Sequence, residues 1–127
     1  MGVSFLSDAW AQALSDALNA NEAFRTAAMA HEVTIQQVIT RPDGETRYWT
    51  RIAAGAISMG IGDAEVPDAT ITQSYDTAVA LARRELNPVT GFMMGKIKVQ
   101  GNMGMLLGLQ GVLSFIADAM GDLEVDY

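Results

Sequence analysis

The hydrophobic pattern of the chain changes its period near residue 30, and this change limits the possible folds more than any other feature. Before it, apolar residues recur every three or four positions from Trp10 to Leu18, which predicts an amphipathic helix capped by Ser7. A shorter helix over Glu22–Ala28 is expected to follow. Over residues 33–40, β-branched and polar residues alternate, as in a half-buried strand. The chain therefore has to combine helices with a sheet.

The rest of the pattern predicts four more strands and three more helices. Pro42 and Gly44 place a turn after the first strand, and Ala54-Gly55 allows a second tight turn. The further strands are expected at residues 46–53, 56–61, 69–73 and 96–100. The further helices are expected from Ser74 or Asp76 to Glu85, from Asn87-Pro88 to Gly95, and over residues 103–120. The order ααββββααβα predicts an α+β fold, in which helices cover a five-stranded, mostly antiparallel sheet and residues 1–127 form one domain.

Charge and composition exclude several classes of function. Eight basic and fifteen acidic side chains give a net charge of −7, and the cations form no stripe that could neutralise the phosphates of a nucleic acid. The chain has no cysteine, which excludes disulfides and thiolate sites. The longest apolar stretch, residues 103–117, is shorter than the ~20 residues that cross a bilayer, and no basic residue precedes the apolar N-terminal stretch as in an export signal. We expect a soluble cytoplasmic protein with no transmembrane segment and no nucleic-acid partner.

The last predicted helix is the most informative element. Wound as a helix, its apolar residues fill about a third of the circumference; they are Met105, Leu106, Leu109, Val112, Leu113, Ile116 and Met120. Methionine fills irregular gaps well, and Met93, Met94, Met103 and Met105 surround the start of this helix together with several glycines. Three interpretations stay open: a core helix, a helix that borders an adaptable apolar cavity, and a seam between two copies of the chain.

A search for catalytic and cofactor-binding motifs gives no candidate. The stretch Gly91-Phe-Met-Met-Gly95-Lys96-Ile97 is one residue too short for a phosphate-binding loop, and Ile97 stands where a magnesium-binding Ser or Thr is needed. Gly60-Ile-Gly62 lacks the third glycine of a dinucleotide fingerprint. His31 is the only histidine, and the sequence places no nucleophile or second metal ligand near it. We therefore expect no enzyme activity, no cofactor and no metal.

The C-terminal part of the chain resembles a known family. The stretch Gly91-Phe-Met-Met-Gly95-Lys96-Ile97-Lys98-Val99-Gln100-Gly101-Asn102-Met103 resembles the C-terminal signature of the SCP2 (sterol carrier protein 2) sterol-binding domain family. In that family a short helix with small and Met residues leads to Gly-Lys, a basic strand, Gly-Asp or Gly-Asn, and a leucine-rich helix. Ala69-Thr70-Ile71-Thr72, followed by Ser74 and a helix, is similar to the family's fourth strand and its sequel. The resemblance covers nearly the whole chain, and residues 91–113 are its specific part.

The resemblance implies a hydrophobic tunnel that binds sterols, fatty acids, acyl-CoA esters or phospholipids without catalysis and without a cofactor. On the helical side it implies the tunnel residues Phe92, Met93, Met103, Met105, Leu106, Leu109, Leu113 and Ile116. On the sheet it implies Ile35, Trp49 or Tyr48, Ile57 and Met59. The C-terminus lacks the peroxisomal address of the eukaryotic carriers, so a bacterial stand-alone member of the family is expected.

Two functions of different classes follow from these observations. The first is non-catalytic intracellular lipid binding and transfer, with a fatty acyl, acyl-CoA, sterol or similar hydrophobic ligand in an apolar tunnel. The alternative is a protein-interaction or accessory module, which docks its apolar face on an enzyme or on a second copy, or presents a quinone-like precursor. The expected partner is a lipid or other hydrophobic small molecule in the first case, and a homodimer or an enzyme partner in the second.

Overall fold

The computed structural model describes residues 2–126, apart from the side chains of Pro88, Val89, Leu106 and Gln110. The strands in this part of the chain are β1 Val3–Ser4, β2 Val33–Arg41, β3 Gly44–Ala53, β4 Ala56–Ile61, β5 Ala69–Ser74, β6 Ile97–Gly101 and β7 Val125–Asp126. The helices are α1 Asp8–Asn19, α2 Glu22–Ala28, α3 Tyr75–Ala82, α4 Pro88–Met93, α5 Met103–Gly108 and α6 Gln110–Asp122.

Five of the strands form one mixed sheet, in the order β4-β3-β2-β5-β6. Neighbouring strands are antiparallel except β2 and β5, which are parallel. The expected α+β fold with a five-stranded, mostly antiparallel sheet is confirmed. The two-residue strands β1 and β7 form a separate parallel pair. The sequence analysis did not predict this pair, because two residues are too few to show a periodicity.

Polar side chains set the starts of four helices. Ser7, Asn21 and Ser74 precede α1, α2 and α3, and each side-chain oxygen accepts a hydrogen bond of 3.1 to 3.2 Å from the backbone N–H three residues later. Asn102 accepts in the same way at the start of α5. Of the two alternatives for the cap of α3, the structure therefore selects Ser74, and Asp76 lies in the first turn.

Three of the predicted helices differ from the observed ones. The short helix expected to end at Gly95 ends at Met93. The prediction that α3 continues to Glu85 is wrong, because the helix ends at Ala82. The predicted final helix is divided into α5 and α6, with Leu109 between them at φ −92° and ψ 2°. Gly108 and Gly111 flank this break, and each glycine lowers helix stability by about 1 kcal/mol relative to alanine. The apolar periodicity thus continues across a point where the backbone helix does not.

One face of the sheet is covered by helices and carries the core. Here α1 packs on β4, α3 packs on β2 and β5, and α6 packs on α1, α2 and α3. The ring of Trp10 lies 5.2 Å from those of Phe5 and Tyr48, nearly perpendicular to both, a favourable edge-to-face geometry. Phe24 of α2 meets Phe115 of α6 at 6.3 Å. These contacts fix α6 relative to the sheet through the N-terminal helices.

The opposite face of the sheet is partly covered by the loop that follows β4. Gln36 is buried there, and its Oε1 accepts a hydrogen bond of 2.6 Å from the N–H of Ala64. Its Nε2 donates to the carbonyls of Tyr48 and Gly62, at 3.1 and 3.2 Å. A buried carboxamide with both ends bonded in this way holds the loop against the outer face.

Candidate functional site

The strand register decides which side chains of the sheet face the helices. Residues paired across neighbouring strands point to the same face, and successive residues in one strand point to opposite faces. One row of paired residues is Met59, Thr50, Ile35 and Ala69, and the next is Ile61, Tyr48, Gln37, Ile71 and Val99. Since the ring of Tyr48 contacts Trp10 of α1, both rows lie on the helix-covered face.

The register also separates Tyr48 from Trp49, the two alternatives for an aromatic residue on the sheet side of the site. Tyr48 lies on the helix-covered face, and Trp49 lies on the opposite one. There the ring of Trp49 covers Gly60, where an added Cβ would be 2.6 Å from the ring. Trp49 also lines a concavity of about 440 Å³ beside residues 63–66. Trp49 therefore does not lie with the other residues predicted for the site.

Seven of the predicted residues come together in and around one apolar core cluster: Ile35, Ile57, Met59, Met105, Leu109, Leu113 and Ile116. Ile35, Ile57 and Leu109 are buried, and the other four are half-buried. A side chain that is already buried among protein atoms offers little surface to a ligand, so the half-buried members are the ones a ligand can reach. Leu106 lies in α5, and its side chain is outside the described part of the structure.

The other three predicted residues lie at the surface. Phe92, Met93 and Met103 are exposed, as are Met94 and Leu107, and we refer to these five as the α4–α5 apolar residues. Gly91 shows how closely α4 packs on β6, because a Cβ at this position would be 2.9 Å from Cδ1 of Ile97. The helix uses this side for packing and leaves its longer apolar side chains in solvent.

Half-buried apolar side chains come from both layers of the fold. In the sheet, Ile71 and Val99 form a cross-strand pair on the helix-covered face, and neither is fully buried. In the helical layer, Met105, Leu113 and Ile116 pack against the core and keep part of their surface exposed. Half-buried apolar surface is therefore present on both the sheet and the helices.

Two polar groups lie on the same face as these apolar side chains. The Tyr48 hydroxyl donates a hydrogen bond of 2.7 Å to Oε1 of Gln37, and burial raises the pKa of Tyr48, which keeps the phenol protonated. Gln73 is buried, and its Oε1 has no hydrogen-bond partner among the residues that the structure describes. The sequence analysis missed Gln73. Because Gln73 lies two positions after Ile71 in β5, the period of a strand would have placed both on the same face.

The described residues show no arrangement typical of a metal centre or a membrane span. Between residues 2 and 126, no group of three or more His, Cys, Asp or Glu side chains is placed to hold a metal ion. No helix in this part of the chain is long and apolar enough to cross a bilayer. His31 lies between α2 and β2, where its backbone N–H donates to the carbonyl of Ala28. The cluster therefore offers a ligand many apolar contacts and a few hydrogen-bonding groups.

Comparison with known proteins gives a consistent result. The family model of the SCP-2 sterol transfer family matches residues 11–114. Sterol carrier protein 2 of Gallus gallus is 35% identical over 72 residues, which are 56% of this chain and only 13% of that protein. A crystal structure of sterol carrier protein 2 is similar with a TM-score of 0.81 at 22% identity, covering 95% of this chain and 100% of that one. The UbiJ-SCP2 ubiquinone synthesis protein is similar with a TM-score of 0.63 at 13% identity, covering 84% and 95%. At such identities the two structures establish a shared fold alone.

Proposed function

Because the chain belongs to the SCP-2 sterol transfer family, we propose that it takes up the apolar part of a lipid between its sheet and the helices α5 and α6. Family membership makes lipid binding or transfer the general function of this domain. We further propose that the ligand is a fatty acyl chain, an acyl-CoA, a sterol or a similar molecule, and that it contacts Met59, Met105, Leu113 and Ile116. The observation that carries this proposal is that these side chains are half-buried, apolar and packed around one closed core.

Burial of the hydrocarbon supplies enough free energy for such binding. Each buried methylene contributes about 0.8 kcal/mol, so about ten methylenes contribute up to ~8 kcal/mol before ordering costs. A dissociation constant near 1 μM requires about this free energy. Since one methylene more or less changes the total little, we expect loose selectivity for chain length.

We expect the ligand to leave the site chemically unchanged and without help from a cofactor. The side chains proposed to contact the lipid are apolar and provide no nucleophile, acid or base. The Tyr48 hydroxyl, the nearby ionisable group on this face, already donates to Gln37, and its raised pKa disfavours loss of the proton. The arrangement suits a protein that carries a lipid between a source and an acceptor.

Leu113→Trp should weaken lipid uptake and leave the fold intact. Leu113 is only half-buried, so a larger ring can occupy the space proposed for the ligand without straining the closed core. Delipidated protein would be titrated with a fluorescent long-chain fatty acid, and its fold checked by circular dichroism. We expect saturation near one ligand per chain for the unsubstituted protein and at least about ten-fold weaker binding for the variant, a loss of about 1.4 kcal/mol. Leu109 is unsuitable for this test, because a substitution at a fully buried position measures core stability.

The matched control is Leu107→Trp, which makes the same exchange on α5 at a side chain that is 63% exposed. It should bind like the unsubstituted protein. Competition with unlabelled acyl-CoA, sterol and quinone would then rank the ligand classes. If the folded protein binds none of these lipids, the proposed function fails. If both tryptophan variants bind as tightly as the unsubstituted protein, the ligand does not occupy the site proposed here.

Docking on a protein partner is a second candidate function, and a different observation favours it. The α4–α5 apolar residues are exposed and do not belong to the core. Groups of exposed apolar side chains are typical of interaction sites. The partner would be a second copy of this chain or an enzyme that receives a hydrophobic, quinone-like precursor from it. Lipid uptake and docking use different residues, so substitutions can separate them.

A further inference from the structure

Gln73 has a buried polar group that the binding of an apolar tail does not explain. It lies on the helix-covered face of β5, and 8% of its surface is exposed. Its Oε1 has no hydrogen-bond partner among the described residues, whereas nearly all buried polar atoms in proteins have one. Such an exception calls for a specific reason.

The surroundings of Gln73 on this face are apolar. It pairs with Ile39 of β2 and with Ile97 of β6, and both isoleucines are buried. Next to it along β5 on the same face is Ile71, which is half-buried and packs against the core. An acceptor without a donor in such surroundings destabilises the protein, and an apolar side chain of similar size would not.

Gln36 shows how the same sheet treats a glutamine with a structural role. The Gln36 carboxamide accepts from the N–H of Ala64 and donates to the carbonyl of Tyr48, so it fixes a loop in place. Among the described residues, Oε1 of Gln73 has no such bond and holds no segment of the chain. A bound molecule can supply the donor that the described residues do not.

We propose that Oε1 of Gln73 accepts a hydrogen bond from the polar head of the bound lipid, and that the site therefore prefers lipids whose head carries a donor, as a hydroxyl group does. This inference rests on the proposed function, because it places the head beside Gln73 and the tail along Ile71 and the half-buried cluster. An ionised carboxylate has only acceptors, so it cannot satisfy this oxygen. An alcohol can, and the free energy lost in the empty protein is then recovered on binding.

A pair of ligands that differ only in the donor tests this assignment. 1-Tetradecanol and its isomer methyl tridecyl ether have the same atoms and the same chain length, but the ether oxygen cannot donate. Both would be measured as competitors of a fluorescent fatty acid on the delipidated full chain. The unsubstituted protein should bind the alcohol about three- to ten-fold more tightly than the ether. Gln73→Leu should bind the two alike, because leucine offers no acceptor.

The control is Gln100→Leu, the same exchange at an exposed position on the opposite face of the sheet. It should retain the preference for the alcohol. Thermal unfolding without ligand provides a second measurement. Since Gln73→Leu and Gln73→Met remove an oxygen that has no partner in the described part of the chain, both variants should melt at or above the temperature of the unsubstituted protein.

Two results would overturn the inference. One is an alcohol-to-ether ratio that stays the same after Gln73→Leu. The other is a clear drop in the melting temperature of either Gln73 variant, or its failure to fold, which would mean that the carboxamide has a partner in the empty protein. Failure of the proposed function looks different, because then neither competitor nor probe binds to the unsubstituted chain.

Discussion

Tyr48 and Trp49 are neighbours in β3, and the pleat of the strand sends them to opposite faces. Tyr48 packs edge-on against Trp10 and donates to Gln37, as buried phenols generally require a hydrogen-bond acceptor. Trp49 covers Gly60 on the other side of the sheet. Two large aromatic residues that were equivalent candidates for a ligand contact therefore have different surroundings, and only Tyr48 adjoins the proposed site.

Tyr48 should make the stability of the protein fall at high pH. Burial raises the pKa of Tyr48 above the ordinary value of about 10. Above that pH the unfolded chain releases the proton while the folded chain keeps it, so the unfolded state binds fewer protons and the free energy of unfolding decreases as pH rises. Tyr48→Phe should remove this contribution, and the Gln37 side chain it leaves is half-buried and can bind water.

Urea unfolding at about pH 8 and about pH 11 measures this effect. The loss of unfolding free energy between the two pH values should be larger in the unsubstituted protein than in Tyr48→Phe. An equal loss in both proteins would mean that Tyr48 titrates alike in the folded and unfolded states. The comparison uses differences between pH values, so a general change in stability from the substitution does not affect it.

On the scale of secondary structure, the start of a helix is set by residues close together in sequence, and a break or end is set less strictly by such residues. The caps at Ser7, Asn21 and Ser74 involve a side chain and a backbone N–H only three residues apart. The break between α5 and α6 lies at Leu109, which is fully buried in the core.

Ser74→Ala should destabilise the protein by about 1 kcal/mol. The Ser74 Oγ accepts from the N–H of Thr77 at 3.2 Å and donates to the Thr77 hydroxyl at 2.9 Å, and alanine removes both bonds. Asp76→Asn is the control, because the charge of Asp76 in the first turn of α3 stabilises the helix by about 0.3–1 kcal/mol at the surface. Urea unfolding of the two variants ranks the residues, and a larger loss for Asp76→Asn would show that Asp76 is the cap.

On the scale of the whole molecule, the two ends of the described chain meet. The N–H groups of Val3 and Phe5 donate to the carbonyls of Glu124 and Asp126, at 3.0 and 2.9 Å. This pairing holds the residues after α6 beside those before α1, and α1 and α6 also pack on each other. Residues 3–5 and 124–126 therefore help to hold α1 and α6 in place on the helical side of the proposed site. The α4–α5 apolar residues lie at the surface instead.

Met93→Asp should separate docking from lipid uptake. Met93 is 80% exposed, so an aspartate there can be accommodated in the folded monomer but would disrupt an apolar interface. If the α4–α5 apolar residues join two copies of the chain, the unsubstituted protein should dimerise in sedimentation experiments and Met93→Asp should be a monomer with unchanged lipid affinity. Val66→Asp is the matched control, since Val66 is 82% exposed in the loop beside the opposite face, and it should behave like the unsubstituted protein. An unsubstituted protein that remains monomeric at high concentration contradicts the self-docking form of this function.

The amino-acid sequence by itself determined the type and order of the main elements, including the cap at Ser7 and the turns after β2 and β3. Periodicity and capping depend on residues within a few positions of each other, so they can be recognised before the fold is known. The stretch from Gly91 to Met103 also carried the family resemblance, which the family match over residues 11–114 confirmed.

Only the tertiary structure decided which apolar residues are closed into the core and which can meet a ligand. Ile35 and Leu109 are buried while Met93 is exposed, although all three were equally apolar candidates in the sequence. It also showed that the carboxamide oxygen of Gln73 lies on the helix-covered face with no partner among the described residues, while that of Gln36 is satisfied on the other. The physical reason is that burial and hydrogen-bond satisfaction depend on strands and helices far apart in sequence, and the strand register alone brings these partners together.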